Sequence, residues 1–402
     1  MDANSLCSTS LASKAFTHAS LPYRLQSVTI GDIEHGEKLL SLIEQSSRIA
    51  LLVRHVRLQP SPRPGILAAL GGIVLNTAPG SELAEQQKED IRAREEFMLW
   101  VLNNIVSKLE NIVQLSFINI IWNDPIRSGE KISPNLKFTD VPSLPLLRTV
   151  KHLTFVGCTM GQSASNNFIR RLVHLRRLDI DNSHIKSFST PSMKNDFPHL
   201  HELALTESLW PTSIGINPWP HNSLEFINMS TLTKLSVVLR SINGPGAIDS
   251  VKITTKLKEA VSMEELELKI LCLKGEDAEV LLSNTSLANM PHLRILQLGN
   301  LFGHSSAYQL IDTIRSSKLQ LIEGECRYHT QTIEELMPAM KKINMALVQR
   351  LNPAQGLSDE FKLKFVVHTR RPRRSVLGHF REVFSGLGRK RVSIDLVWDI
   401  KN

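Results

Sequence analysis

Apolar residues recur along much of the chain in one frame: three positions spaced by three residues, then a fourth two residues further on. Leu147, Val150, Leu153 and Phe155 hold it, then Leu172, Leu175, Leu178 and Ile180, then Phe197, Leu200, Leu203 and Leu205. The frame returns at Met229, Leu232, Leu235 and Val237, at Met263, Leu266 and Leu268, and at Met290, Leu293, Leu296 and Leu298. An earlier copy covers Leu109, Ile112, Leu115 and Phe117, and a weaker one ends near Leu319 and Ile322. The equivalent residues Leu153, Leu178, Leu203, Leu235, Leu266, Leu296 and Ile322 are separated by 25, 25, 32, 31, 30 and 26 residues.

Two apolar residues at a spacing of two, bounded by polar ones, predict a short strand with one buried and one outward face. The apolar positions three and six residues upstream predict the turn that enters it. After the strand, a small polar residue can hydrogen-bond the descending turn, and Cys158, Ser183 and Ser208 stand there. Stretches of helical period, such as Ser163–Leu172 and Ala307–Arg315, lie between strands. Each unit leaves apolar surface that only a stacked neighbour covers. The predicted architecture is therefore an α/β leucine-rich-repeat solenoid, with short parallel strands lining one curved face. An all-helical repeat of the HEAT or armadillo kind would need units of roughly 40–47 residues and no strand.

The outward strand positions define a candidate partner-binding concave face: Thr154, Asp179, Asp181, Thr206, Ser236, Glu267, Lys269 and Gln297. Both signs of charge occur among them, so no single charged ligand is implied.

Other segments read differently. Ser81–Asn104 predicts one helix with Ser81 as its cap, and Pro60–Gly65 and Thr77–Ser81 predict loops. Phe361–Val367 and Val392–Ile400 alternate like two terminal strands. Trp210 and Trp219 lie in a proline-rich loop, where packing against the repeats outweighs an interface role by the tendency of large aromatics to be buried.

Charge changes the picture only once it is located. The chain carries a formal +8, and residues 362–402 alone hold eleven Lys/Arg against three Asp/Glu, so the first 361 residues balance. Few aromatics interleave with the basic tail, which argues against nucleic acid as a ligand. A solvated face is the plainest account of the tail, and Arg370, Arg371, Arg373 and Arg374 form a candidate targeting signal.

Four dispersed cysteines suggest free thiols and a reducing compartment, cytoplasmic or nuclear. The longest apolar run, Ile66–Leu75, has about half the ~20 residues of a membrane span. His199, His201 and Glu202 lack the helical spacing of a zinc motif, and no metal or cofactor is expected. Gly386-Leu387-Gly388 reads as a turn, and no phosphate loop or nucleophile elbow occurs. Enzymatic chemistry is therefore not expected, although a site assembled from scattered residues is the rival reading.

The N-terminus adds a resemblance. Leu11, Ser13, Lys14 and Phe16, then Pro22, Tyr23, Leu25, Ser27, Val28 and Ile30, are similar to the second half of an F-box as found in many fungal proteins. Val53, Arg54, Val56 and Leu58 are similar to that family's link into its first repeat. The Leu-Pro-led helix that opens an F-box has no counterpart here, so a partial F-box is implied. The resemblance implies residues 1–35 as that segment, 36–108 as linking helices with a first irregular repeat, 109–330 as the repeats, and 331–402 as a C-terminal cap. It further implies a substrate receptor that recruits a protein to an SCF ubiquitin ligase, with Leu11, Phe16 and Pro22 as adaptor-binding candidates. The partner's identity and the oligomeric state are left open.

Overall fold

Strand placement follows the apolar frame. The structure, a computed structural model, describes residues 23–60, 82–122, 145–160, 168–169, 171–181, 183–185, 198–209, 227–241, 250–270, 275–304, 306–327, 333–350, 360–369, 373–387 and 391–398. The chain divides into two compact units, Met1–His199 and Leu200–Asn402. Both are α/β, and every strand pair described in either unit is parallel.

The first unit runs β1 (Ser27–Ile30), α1 (Ile33–Gln45), α2 (Ser47–Leu52), β2 (His55–Leu58), α3 (Glu82–Asn104), β3 (Gln114–Ile118), β4 (Ile121–Trp122), β5 (His152–Val156), β6 (Thr159–Met160), β7 (Arg177–Asp181) and β8 (His184–Ile185). Its main sheet has the order β1-β2-β3-β5-β7, and β4, β6 and β8 form a second small sheet. Helix α1 starts where the Asp32 carboxylate accepts the His35 backbone N–H at 2.8 Å, an N-cap that satisfies one orphan donor. The predicted helix over Ser81–Asn104 is α3, while Ser81 itself lies outside the described residues. Of Ser163–Leu172, only 168–169 and 171–172 are described.

In the second unit, strands and helices alternate: β9 (Glu202–Leu209), β10 (Lys234–Ser241), α4 (Ser250–Leu257), β11 (Glu265–Ile270), α5 (Gly275–Asn284), β12 (Ile295–Gly299), α6 (Ala307–Thr313), β13 (Leu321–Arg327), α7 (Ile333–Arg350), β14 (Lys362–Thr369), α8 (Arg373–Val383) and β15 (Val392–Trp398). The strands stand in chain order, each paired with the next, and successive helices from α4 to α8 pack side by side. The tail segments predicted as strands are β14 and β15, in register with β13.

Register makes the repeat visible. In the first unit Val28, Val56, Leu115, Leu153 and Leu178 are successive partners across the sheet. In the second, Leu203, Leu235, Leu266, Leu296, Ile322, Leu363 and Val392 form the same column. A second column lies two residues on: Ile30, Leu58, Phe117, Phe155 and Ile180, with the Phe117 and Phe155 rings stacked 5.4 Å apart. In the second unit Leu205, Val237 and Leu268 continue it, but β12 bulges between Gln297 and Gly299 and places Gly324 beside Phe365. Phe380 and Phe384 lie 5.3 and 4.7 Å from the Phe365 ring. The upstream turn positions, among them Leu109, Ile112, Leu172, Leu175, Met229, Leu232, Met290 and Leu293, are buried too. Burial of each such side chain contributes roughly 1.5–3 kcal/mol, so the column rather than any single contact holds a unit together.

Strand entry has its own repeated device. One carbonyl on the preceding strand's approach accepts two successive N–H groups of the next. Gln26 O takes Arg54 and His55, Arg54 O takes Val113 and Gln114, and Val113 O takes Lys151 and His152. Likewise His201 O takes Thr233 and Lys234, Thr233 O takes Glu264 and Glu265, and Glu264 O takes Arg294 and Ile295. These bonds fix where each strand begins against its neighbour.

Corners after the strands differ between units. Asn119 and Gly157 both adopt positive φ, 54° and 62°, and their N–H groups donate to Val156 O and Asp181 O. A Cβ on Gly157 would meet Asn119 Oδ1 at 2.5 Å, so glycine is required there for space as well as for φ. In the second unit Gly299 has φ 49°, and a Cβ on it would stand 3.1 Å from the Lys269 Cα.

Candidate functional site

Alternation sends the residues between the two apolar columns to the opposite face of each sheet, and there the polar side chains bond to one another along rows. On β5 and β7 the His152 Nε2 lies 2.7 Å from Asp179 Oδ2, and the Arg177 Nε donates to both Asp179 oxygens at 3.0 and 3.1 Å. The Thr154 hydroxyl is 3.2 Å from the same His152 nitrogen. Partial burial pushes the Asp179 carboxyl up, but the hydrogen bonds from His152 and Arg177 outweigh it and hold the group below the usual carboxylate range. Asp181, one step further along β7, is half-buried, and its backbone carbonyl accepts the Gly157 N–H and the Ser183 hydroxyl.

The second unit carries a longer row. Ser236 donates to Glu267 Oε2 at 2.5 Å, and Lys269 Nζ lies 2.7 Å from Glu267 Oε1. Burial raises the Glu267 carboxyl, and the Lys269 and Ser236 bonds more than offset that, leaving it lowered. Gln297 donates to Glu323 at 3.0 Å, and Lys364 reaches Glu323 at 3.3 Å and Asp395 at 3.5 Å. The Glu323 bond is the main reason that the Lys364 ammonium is held above its ordinary value. Lys234 pairs with Glu265 at 2.7 Å and His368 with Glu325 at 3.0 Å. Thr206, half-buried on β9, stands in register with Val238.

All eight strand residues expected to face outward therefore lie on strands. They belong to two separate sets: Thr154, Asp179 and Asp181 in the first unit, and Thr206, Ser236, Glu267, Lys269 and Gln297 in the second. The sequence reading missed His152 and Arg177, which share the outward parity one step earlier on their strands. It also missed Glu323, because the outward parity was not carried through the weak copy at Leu319 and Ile322, and Lys364 and Asp395, because β14 and β15 were not placed in the frame. Leu11, Phe16, Pro22, Arg370, Arg371, Trp210 and Trp219 lie outside the described residues. Arg373 and Arg374 open α8.

The chemistry available on these faces is hydrogen bonding and ion pairing. In a hydroxyl–imidazole–carboxylate relay the hydroxyl and carboxylate sit on opposite ring nitrogens. Here Thr154 and Asp179 both contact Nε2, so this cluster lacks the relay geometry. Cys158 is buried and inert: desolvation pushes its thiol up to about 12, and the thiol donates to Phe117 O at 3.3 Å. Its N–H donates to the Ser183 hydroxyl at 2.9 Å, the turn-locking role predicted for those two positions. Among the described residues no group of three or more His, Cys, Asp or Glu side chains could hold a metal ion. His199 and His201 are both exposed. No helix among the described residues is long and apolar enough to cross a membrane.

No protein-family model matches this sequence, and none of the curated proteins is similar to it.

Proposed function

We infer that this chain is a leucine-rich-repeat protein that binds a partner protein through its outward strand faces, and that it serves as a substrate receptor like the fungal F-box proteins its N-terminus resembles. The supporting observation is the in-register run of polar residues on parallel strands. Strands about 4.8 Å apart present side chains at fixed intervals, and those side chains are already held by one another. A surface so ordered loses little side-chain entropy when a partner docks. Its charges are paired in rows, which favours a polar protein surface over a polyanion. The ligase step rests on the resemblance alone.

The test is calorimetric titration of the purified chain with the SCF adaptor subunit, beside a folded Leu11→Ala/Phe16→Ala variant. Micromolar or tighter binding that is lost in the variant supports the receptor reading. A folded chain that does not bind removes the ligase role and leaves a repeat scaffold.

A further inference from the structure

Charge pairing along the strand faces is incomplete at one place. In the first unit Arg54 O, Val113 O and Lys151 O each accept the two N–H groups that open the next strand. Arg54, Val113, Lys151 and Arg176, one before each of β2, β3, β5 and β7, therefore stand on a common rim. The first strand residues form the adjoining row, with His55, Gln114, His152 and Arg177 in register. Arg57 has the same outward parity two residues along β2, opposite Ser116. Arg54, Arg57, Lys151 and Arg176 are all exposed, and among the described residues none of these four side chains has a hydrogen bond or ion pair.

Counter-charge is scarce on this side. Its acids are Asp179 and Asp181, both on β7, and Asp179 is already held by Arg177 and His152. The other described acids of the unit lie on α1 and α3, at Asp32, or at Glu110 in the turn before β3. The second unit balances the equivalent rim positions, where Glu264 and Arg294 pair at 3.7 Å. Lys151 and Arg176 precede neighbouring strands, about 4.8 Å apart. Like charges directly opposite one another destabilise a sheet, and an anionic ligand turns that repulsion into attraction.

We propose that the strand-entry rim of the first unit docks an acidic segment of the partner protein, a run of Asp or Glu laid across β2 to β7. This rests on the outward faces being the partner surface, and adds the chemistry that this part of it selects. Three strand spacings separate β2 from β7, about 14 Å, which about four or five extended residues span. The rim and the outward positions of these strands carry no Phe, Tyr or Trp on which a base could stack. Asp179 and Asp181 repel a phosphate backbone that runs on past β7. An acidic protein segment of limited length fits this surface better than nucleic acid.

The test is fluorescence anisotropy of a labelled peptide of about six consecutive glutamates, titrated with the full chain. At about 0.1 M salt the dissociation constant should lie in the tens of micromolar or below, and should weaken as salt is added. Arg54→Glu/Lys151→Glu/Arg176→Glu should weaken binding about tenfold or more. Arg48→Glu/Lys258→Glu/Lys341→Glu changes the net charge equally at exposed positions away from the rim and should bind like the parent. Thermal melts control for folding, and Arg54→Gln/Lys151→Gln/Arg176→Gln serves if the reversal does not fold. A folded parent that leaves the peptide unbound overturns the proposal. So does equal weakening in both Glu triple variants, since net charge alone would then account for binding. An oligothymidylate of the same length that binds more tightly, and is lost with the rim, overturns the choice of a protein ligand. The adaptor titration reads the ligase role through Leu11 and Phe16, so failure of that role and failure of this docking site show in separate measurements.

Discussion

The two units solve one problem, stacking short parallel strands, with different fastenings. In Met1–His199 the strand corners are locked individually. Asn119 and Gly157 take left-handed backbone, Cys158 and Ser183 tie adjacent turns, and the buried Arg94 side chain donates to Asn119 O at 2.8 Å while pairing with Asp90 at 2.7 Å. In Leu200–Asn402 a helix separates each strand from the next beyond β10, and packing of those helices supplies what the corners supply in the first unit. Polar fastening is specific but brittle, since a buried ionic group is costly once its partner is gone. Apolar fastening is distributed, and its loss scales with the volume removed.

The sharpest way to break that contrast is Arg94→Met, which leaves the buried Asp90 carboxylate without its guanidinium and should cost about 3–5 kcal/mol. Hydrogen exchange should show the loss concentrated at β3 and β4; a loss spread equally over both units would refute the contrast. The apolar counterpart is Leu235→Ala in the second unit, expected to cost about 2–5 kcal/mol by chemical denaturation, with exchange rising across β9 to β11. Gly299→Ala comes next. A left-handed residue facing the Lys269 backbone at 3.1 Å should lose about 1–3 kcal/mol, and a neutral result would mean that the β12 corner relaxes freely.

The smallest effects concern acid. Asp179 and Glu267 both titrate below their ordinary values in the folded chain. A depressed carboxylate contributes stability that is complete above its unfolded value, about 3.9 for Asp and 4.3 for Glu, and that is lost as pH falls through the lower folded value. Asp179→Asn should therefore flatten the acid limb of the first unit, and Glu267→Gln that of the second. Melting curves between neutral pH and pH 3 would show it, and unchanged slopes would mean that these rows do not contribute to folding.

How much of this could be read from sequence depends on what each residue has to do. Leu153, Leu178, Leu203, Leu235, Leu266, Leu296 and Ile322 were legible because burial admits few residue types, and the columns in both units are built from them. Insertions lengthened the middle intervals without hiding the frame. The copy at Leu319 and Ile322 looked weak because Gly324 fills the second column there, beside a bulge that no local pattern announces. The outward face was legible as parity alone. Which polar residues pair across it, as His152 does with Asp179, depends on neighbours 27 residues apart and has no sequence signal. The Arg94–Asp90 pair has no distinguishing signal in sequence, since a spacing of four on a helix says nothing about burial.

The shared carbonyl at each strand entry has an evolutionary consequence. Because Thr233 and Lys234 are registered by His201 O at the moment the strand begins, the length of chain in between has no influence on alignment. Lengthening such a connection costs only loop-closure entropy, about 0.6 kcal/mol for each doubling. Copies produced by unequal duplication, with ragged joins, would still fold in phase. The array can thus acquire new loops faster than it loses its scaffold, and natural variation is free to act on the connections while the strands keep count.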